Sequence, residues 1–258
     1  MTNSLQASRL EYAVLSYLSQ SDIPVGATTL VLVVGKKFGL SQATLGRKLM
    51  QFDDEGYTNL QGRKGRVLTG AGRERLEELE RELRQQSHHS RLLQALNTDS
   101  HEALLDVLIV RRALEYEAAA LAAEKATPED VELLRESIRL QREVLADNRI
   151  PYEEDRAFHL LIAKTSRNQV LLHALQLVWQ ESLDLPATAS IRRSVGSELV
   201  VDHERIASAI AERSPCRAGQ EMVRHINQII GDVEQYFIRK HEDEEPVDVS
   251  TFIGGKEQ

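Results

Sequence analysis

Between Ser100 and Lys240 apolar residues return every three or four positions, and this period restricts the segment to packed amphipathic helices. HEALLDVLIVRRALEYEAAALAAEKA reads as one long helix that stops before Thr127. There TPED supplies an N-cap, a proline at the first helical position and an acidic residue at the third, so a second helix runs to about Asp147. NRIP breaks it. Tyr152 to Thr165 and Asn168 to Leu185 follow, the latter turning Leu171, Leu172, Leu175, Val178 and Trp179 inward. A loop is expected around Pro186 to Gly196, then helices over Ser197 to Arg213 and Arg217 to Lys240. The acidic tail, 241–258, is expected to be disordered or loosely docked.

The first 85 residues read differently. Leu10, Val14, Leu15 and Leu18 have helical spacing before Pro24 and Gly26 interrupt them. Leu30 to Phe38 fits a helix or, being rich in β-branched residues, a strand; Gly39 then turns the chain. Ser41 is a candidate N-cap for a helix carrying Leu45, Leu49 and Phe52 inward, and that layout is a helix-turn-helix. Its second helix would present Ser41, Gln42, Thr44, Arg47 and Lys48 to a DNA major groove. After Gly56 the pattern becomes extended, with strands over Tyr57 to Leu60 and Arg66 to Thr69. Gly62, Arg63, Lys64 and Gly65 form the tip between them, as in the wing of a winged helix. Arg63, Lys64 and Arg66 are the expected phosphate contacts; the alternative is an ordinary solvated hairpin.

Charge follows the same division. Residues 1–75 hold ten Lys or Arg against six Asp or Glu, whereas the rest hold 22 against 34, within a net charge of −8. A basic head on an acidic body fits a chain of which only the first part meets phosphate. Leu76, Leu79 and Leu83 continue a helix beyond the wing, and QQSHHS, residues 85–90, is the expected linker. The fold class is therefore mostly α: an N-terminal winged helix-turn-helix over 1–85 and a C-terminal all-helical bundle over 90–240. Apolar runs such as Leu30 to Val34 are far too short for a membrane span, and the polar N-terminus lacks a signal pattern, so a cytoplasmic location is expected. The single cysteine, Cys216, rules out an internal disulfide.

Four residues in the helical part have metal-ligand chemistry. Asp155 and His159 stand four apart, which stacks them on one face of a helix. His203 and His225 arrive from two further helices. One carboxylate and three imidazoles suit a divalent cation, while each histidine alone could equally be a hydrogen-bonded core residue.

These segments resemble the FadR-type branch of the GntR family of bacterial transcription regulators. VRRALEYEAAALAA is similar to the opening helix of that branch's helical effector domain (FCD-like), and EDRAFHLLIAKTSRNQVLL to its D-x-x-x-F-H segment with the following Asn. DHERIASAI and MVRHI resemble its two later histidine helices, so the likeness spans roughly residues 100–238. It implies a divalent metal on Asp155, His159, His203 and His225, with zinc as the default and nickel, manganese or iron suiting the same donors. It also implies a small organic acid as effector, its carboxylate paired with Arg111, and Asn168 as a second pocket residue. An acyl-CoA ligand is disfavoured, because the fatty-acyl-binding branch lacks this ligand set. The head follows the family at Leu40, Ser41, Leu45, Leu49, Glu55 and Gly56. It departs where arginines are usual, at Gln42 and Gly46, and Arg47 stands where an acidic residue is common. The operator sequence is therefore not carried over.

The resemblance implies a homodimeric regulator on palindromic operator DNA, repressing until ligand binds. Three alternatives are a metal-dependent hydrolase, a sensor in which the ion is the signal, and a plain dimerisation module. Against the hydrolase, His203-Glu204 continues as RIAS and so lacks the second histidine of H-E-x-x-H.

Overall fold

The computed structural model describes residues 2–96, 100–181, 185–194 and 200–244, and these divide between two compact units, Met1–Leu92 and Leu93–Gln258.

In the first unit, α1 (Thr2–Ser19) lays Leu10, Val14, Leu15 and Leu18 into a core shared with Leu45, Leu49, Phe52 and Leu79. The ambiguous run after Gly26 is helical: α2 (Ala27–Leu30) continues into a π-helical turn, Val31–Gly35. Burial of Leu30 and Val34 in the core overrides the strand preference of the valines. Lys36 and Leu40 donate to the carbonyls of Val31 (3.0 Å) and Gly35 (2.9 Å), and Gly39, at φ +65°, turns the chain toward Ser41. The Ser41 hydroxyl accepts from the Thr44 amide at 3.2 Å and caps α3 (Gln42–Asp54) as expected.

The wing is an antiparallel pair, β1 (Thr58–Leu60) and β2 (Arg66–Leu68), with Asn59 opposite Val67. Val25 pairs with Arg66 on the other side of β2. Gly65 has φ +118°, and a Cβ there would lie 2.3 Å from the Val25 carbonyl, so only glycine permits this pairing. α4 (Gly70–Leu96) contains residues 85–90, which corrects the expected linker. No Pro or Gly lies between Arg73 and Leu96 to stop a helix once started.

The second unit is a helical bundle of α5 (His101–Lys125), α6 (Pro128–Ala146), α7 (Tyr152–Thr165), α8 (Gln169–Glu181), α9 (Leu185–Ser194), α10 (Val201–Ala211) and α11 (Pro215–Glu244). Small residues on one side of α5, including Ala118, Ala119 and Ala122, are fully buried, and α11 is its main neighbour. The Thr127–Asp130 capping box opens α6 with Pro128 at its start. Helix α9 corrects the loop expected from Pro186. A proline in the first helical turn lacks only an N–H that would have no intrahelical partner anyway. Residues 195–196 of that expected loop, and the tail beyond Glu244, lie outside the described residues. Among the described residues no helix is long and apolar enough to cross a membrane.

Candidate functional site

Three helices converge on one point in the bundle. α7 brings Asp155 and His159 on successive turns, α10 brings His203 and α11 brings His225; one ligand atom from each of the four lies within 4.8 Å of every other. The three imidazoles are at most 1% exposed. His203 Nε2 stands 3.3 Å from His225 Nε2 and 3.3 Å from Asp155 Oδ1, while His159 Nε2 is 3.8 Å from the same carboxylate oxygen. Phe158 stacks on the His203 ring at 4.4 Å and fixes its plane.

The other ring nitrogens decide which atoms face inward. His203 Nδ1 lies 2.7 Å from Gln141 Oε1, and Gln141 is oriented because its own amide donates to the Glu154 carbonyl at 3.3 Å. His225 Nδ1 lies 3.4 Å from Asp202 Oδ2, and His159 Nδ1 faces Glu115 Oε2. All three partners are acceptors, so each ring keeps its proton on Nδ1 and turns the Nε2 lone pair toward the cluster. Burial pushes His203 well below the ordinary histidine range and holds His225 at about 4 although Asp202 pulls it upward. Neutral imidazoles whose lone pairs meet repel unless something positive lies between them. His159 Nε2 is buried without a hydrogen-bond partner, as a donor awaiting a metal would be. The donor set thus fits a divalent cation.

Sequence reading missed Glu115, Gln141 and Asp202. Only Glu115 left a trace, one helical turn after Arg111 and so able to pair with it. That pairing revises the role expected of Arg111. Its Nε donates to Glu115 Oε1 at 2.7 Å, and its guanidinium lies 3.8 Å from the Trp179 ring centroid. The carboxylate it meets belongs to the chain itself, and its Nη2 is buried without a hydrogen-bond partner. Burial pushes the Glu115 carboxyl up, but the charge of Arg111 and the hydrogen bonds from His159 and Arg111 outweigh it and hold it at about 2. Asn168 is corrected more fully: its side-chain oxygen accepts from the amides of Val170 (3.1 Å) and Leu171 (3.2 Å), so it caps α8 without any ligand. Arg112 donates to Asn227 and His173 meets Gln176, both structural contacts.

On the head, Gln42 and Arg47 are exposed on α3, while Arg63 and Lys64 are exposed at the wing tip, and none of these makes an ion pair among the described residues. Lys48 reaches Gln51 at 3.0 Å, and Thr44 shares a hydrogen bond with Ser41 at 2.9 Å. Arg66 is a correction. It is 7% exposed and forms a bidentate pair with Asp53, closest at 2.6 Å, tying the wing to the end of α3, so it is held away from phosphate.

A sequence profile of the FCD domain matches residues 106–228, which contain all four ligand candidates. The Glc operon transcriptional activator of Escherichia coli K12 is 30% identical over 212 residues, covering 77% of this chain and 78% of that protein. The HTH-type transcriptional regulator LutR of Bacillus subtilis is 30% identical over 141 residues, covering 53% of this chain and 64% of LutR. The chain thus spans less than two thirds of LutR's length. A solved transcriptional regulator, a GntR family member from Pseudomonas syringae pv. tomato, aligns at 17% identity and a TM-score of 0.46 over 86% of this chain and 80% of that one.

Proposed function

Because the chain belongs to the GntR family of transcription regulators and carries an FCD domain, we propose that it is a ligand-responsive regulator with a divalent cation on Asp155, His159, His203 and His225. This family regulates transcription, and the hydrolase alternative is set aside. The observation that carries the metal reading is the convergence of three Nε2 atoms and Asp155 Oδ1, with an acceptor behind each ring.

A cation there, zinc by default, supplies positive charge and open coordination positions for an oxygen ligand. Four protein donors leave room for a carboxylate from a small organic acid, with Arg111 Nη2 nearest in chemistry to a second contact. Glu115, Gln141 and Asp202 hold the imidazoles in the ligating tautomer. On the head, the start of α3 meets base edges through Gln42, Thr44 and Arg47, while Arg63 and Lys64 take phosphate. A homodimer places two such heads on a palindromic operator. For the acid to regulate, it must favour one arrangement of the dimer over another, since equal affinity shifts nothing. Repression relieved by the acid is the proposed direction.

Elemental analysis of untagged wild type and His203→Ala tests the metal reading. Near-stoichiometric metal in the wild type, lost in the variant, supports it; no metal in either, even after reloading, reduces the cluster to core histidines. Selection of duplexes from a random pool tests the DNA reading, which fails when no sequence is enriched or when Arg47→Ala leaves enrichment intact.

A further inference from the structure

Asp202, which holds His225 by Nδ1, also lines a separate cavity of about 540 Å³ between α9, α10 and α11. Its wall carries three guanidinium groups, Arg192, Arg205 and Arg224, against two carboxylates, Asp202 and Asp232. Arg192 is 4% exposed and lies 3.3 Å from Asp232 and 3.9 Å from Asp202. Arg205 pairs with Asp202 and, at 3.4 Å, with Glu221. Arg224 is more than half exposed, and its one ion pair among the described residues is with Glu221 at 3.6 Å. Guanidinium groups keep their charge at any ordinary pH, so the wall holds three permanent cations whose N–H groups outnumber the oxygens of Asp202, Asp232 and the neighbouring Glu221.

A second feature points the same way. Gly231 sits in the interior of α11, where alanine would be the more stable residue, yet a Cβ built there meets nothing within 4 Å. Packing does not demand the glycine. The space it leaves is part of this cavity.

We propose that the cavity binds a small oxyanion bearing carboxylate or phosphate groups, gripped by Arg205 and Arg224 with Arg192 behind them. The site is distinct from the coordination positions at the metal cluster. It rests on the reading above only in taking the helical unit as the ligand-responsive half. The two sites share Asp202. An anion that takes Arg205 removes one of that carboxylate's partners, leaving it to Arg192 and to His225. Occupancy of the cavity is thereby felt at a metal-ligating imidazole, and by linkage metal binding is felt in the cavity.

The test is calorimetric titration of the full chain with inorganic phosphate and, separately, with succinate, in chloride buffer of constant ionic strength. Saturable binding of either supports the site, and which of the two binds identifies the oxyanion. Arg205→Gln and Arg224→Gln, both at solvent-accessible positions, should each weaken binding about tenfold, as expected for one charge-assisted hydrogen bond. Gly231→Leu should abolish it by filling the space, whereas His203→Ala, which acts on the cavity only through the shared Asp202, should shift the affinity but leave binding saturable. Heat from neither anion overturns the proposal, as does binding that survives Arg205→Gln with Arg224→Gln and Gly231→Leu. Binding that disappears in His203→Ala moves the anion to the metal cluster and also overturns it. Metal content, measured separately, reports on the metal reading whatever the anions do.

Discussion

In the head the cations proposed to meet DNA stand in water, with Arg47, Arg63 and Lys64 exposed and outside any ion pair among the described residues. In the bundle, by contrast, Arg111, Glu115 and three histidines are buried to within 1% exposure and each faces a partner. The head even sets one cation aside, since Arg66 is buried against Asp53 to fasten the wing. The contrast fits what each region is proposed to recognise. A phosphate backbone is met at a surface, where long side chains adjust and salt screens them. A metal ion and its effector need donors fixed in direction, which requires burial, and burial in turn requires a partner for every polar atom. The head should therefore tolerate removal of single charges better than the bundle does.

Substitutions can break or sharpen this contrast. Glu115→Ala leaves Arg111 buried without its carboxylate and His159 without its acceptor, and should cost about 3–5 kcal/mol of bundle stability by denaturant unfolding. A cost near that of an exposed charge would remove the distinction. Gln141→Leu keeps volume but frees the His203 ring, and should weaken metal binding roughly 10–100-fold in competition with a chromophoric chelator. Unchanged affinity would show that packing by Phe158 alone orients the ring. On the head, Arg63→Gln with Lys64→Gln should leave folding untouched. It should reduce the slope of log affinity against log salt by about 1.8, or ~0.9 for each phosphate no longer neutralised. An unchanged slope would make the wing tip an ordinary hairpin. Smallest is Gly46→Ala on α3, where a Cβ meets nothing within 4 Å. It should slow amide exchange in that helix by the equivalent of roughly 0.5–1 kcal/mol. Any accompanying fall in operator affinity would mean that the glycine admits the DNA closely.

Local signals were legible in the sequence where a short stretch carried the whole cause. Ser41 and Thr127 announce their helices because a cap acts within four residues, and Asp155 with His159 announces a shared face for the same reason. Asp155, His159, His203 and His225 could be grouped only through their family spacing, and the structure brings all four together. What stayed hidden depends on contacts between distant segments. Gln141 looks like any helical glutamine until α10 lies beside α6, 62 residues later. Arg66 resembled a wing cation because its partner, Asp53, lies across the hairpin, 13 residues back. Pro186 read as a breaker because sequence alone does not say whether a proline stands inside a helix or at its start.

Trp179 carries one last consequence. It is the chain's only tryptophan, 3% exposed, with its ring against the Arg111 guanidinium and 5.5 Å from the His159 imidazole. Nature has thereby placed a single built-in fluorophore beside the donor cluster, while the head contributes only tyrosines. Excitation at the red edge of indole absorption isolates the bundle optically, without a label. A paramagnetic, redox-active ion such as divalent copper, held at this range, should quench that emission by electron transfer, so occupancy can be followed in real time in the unmodified protein.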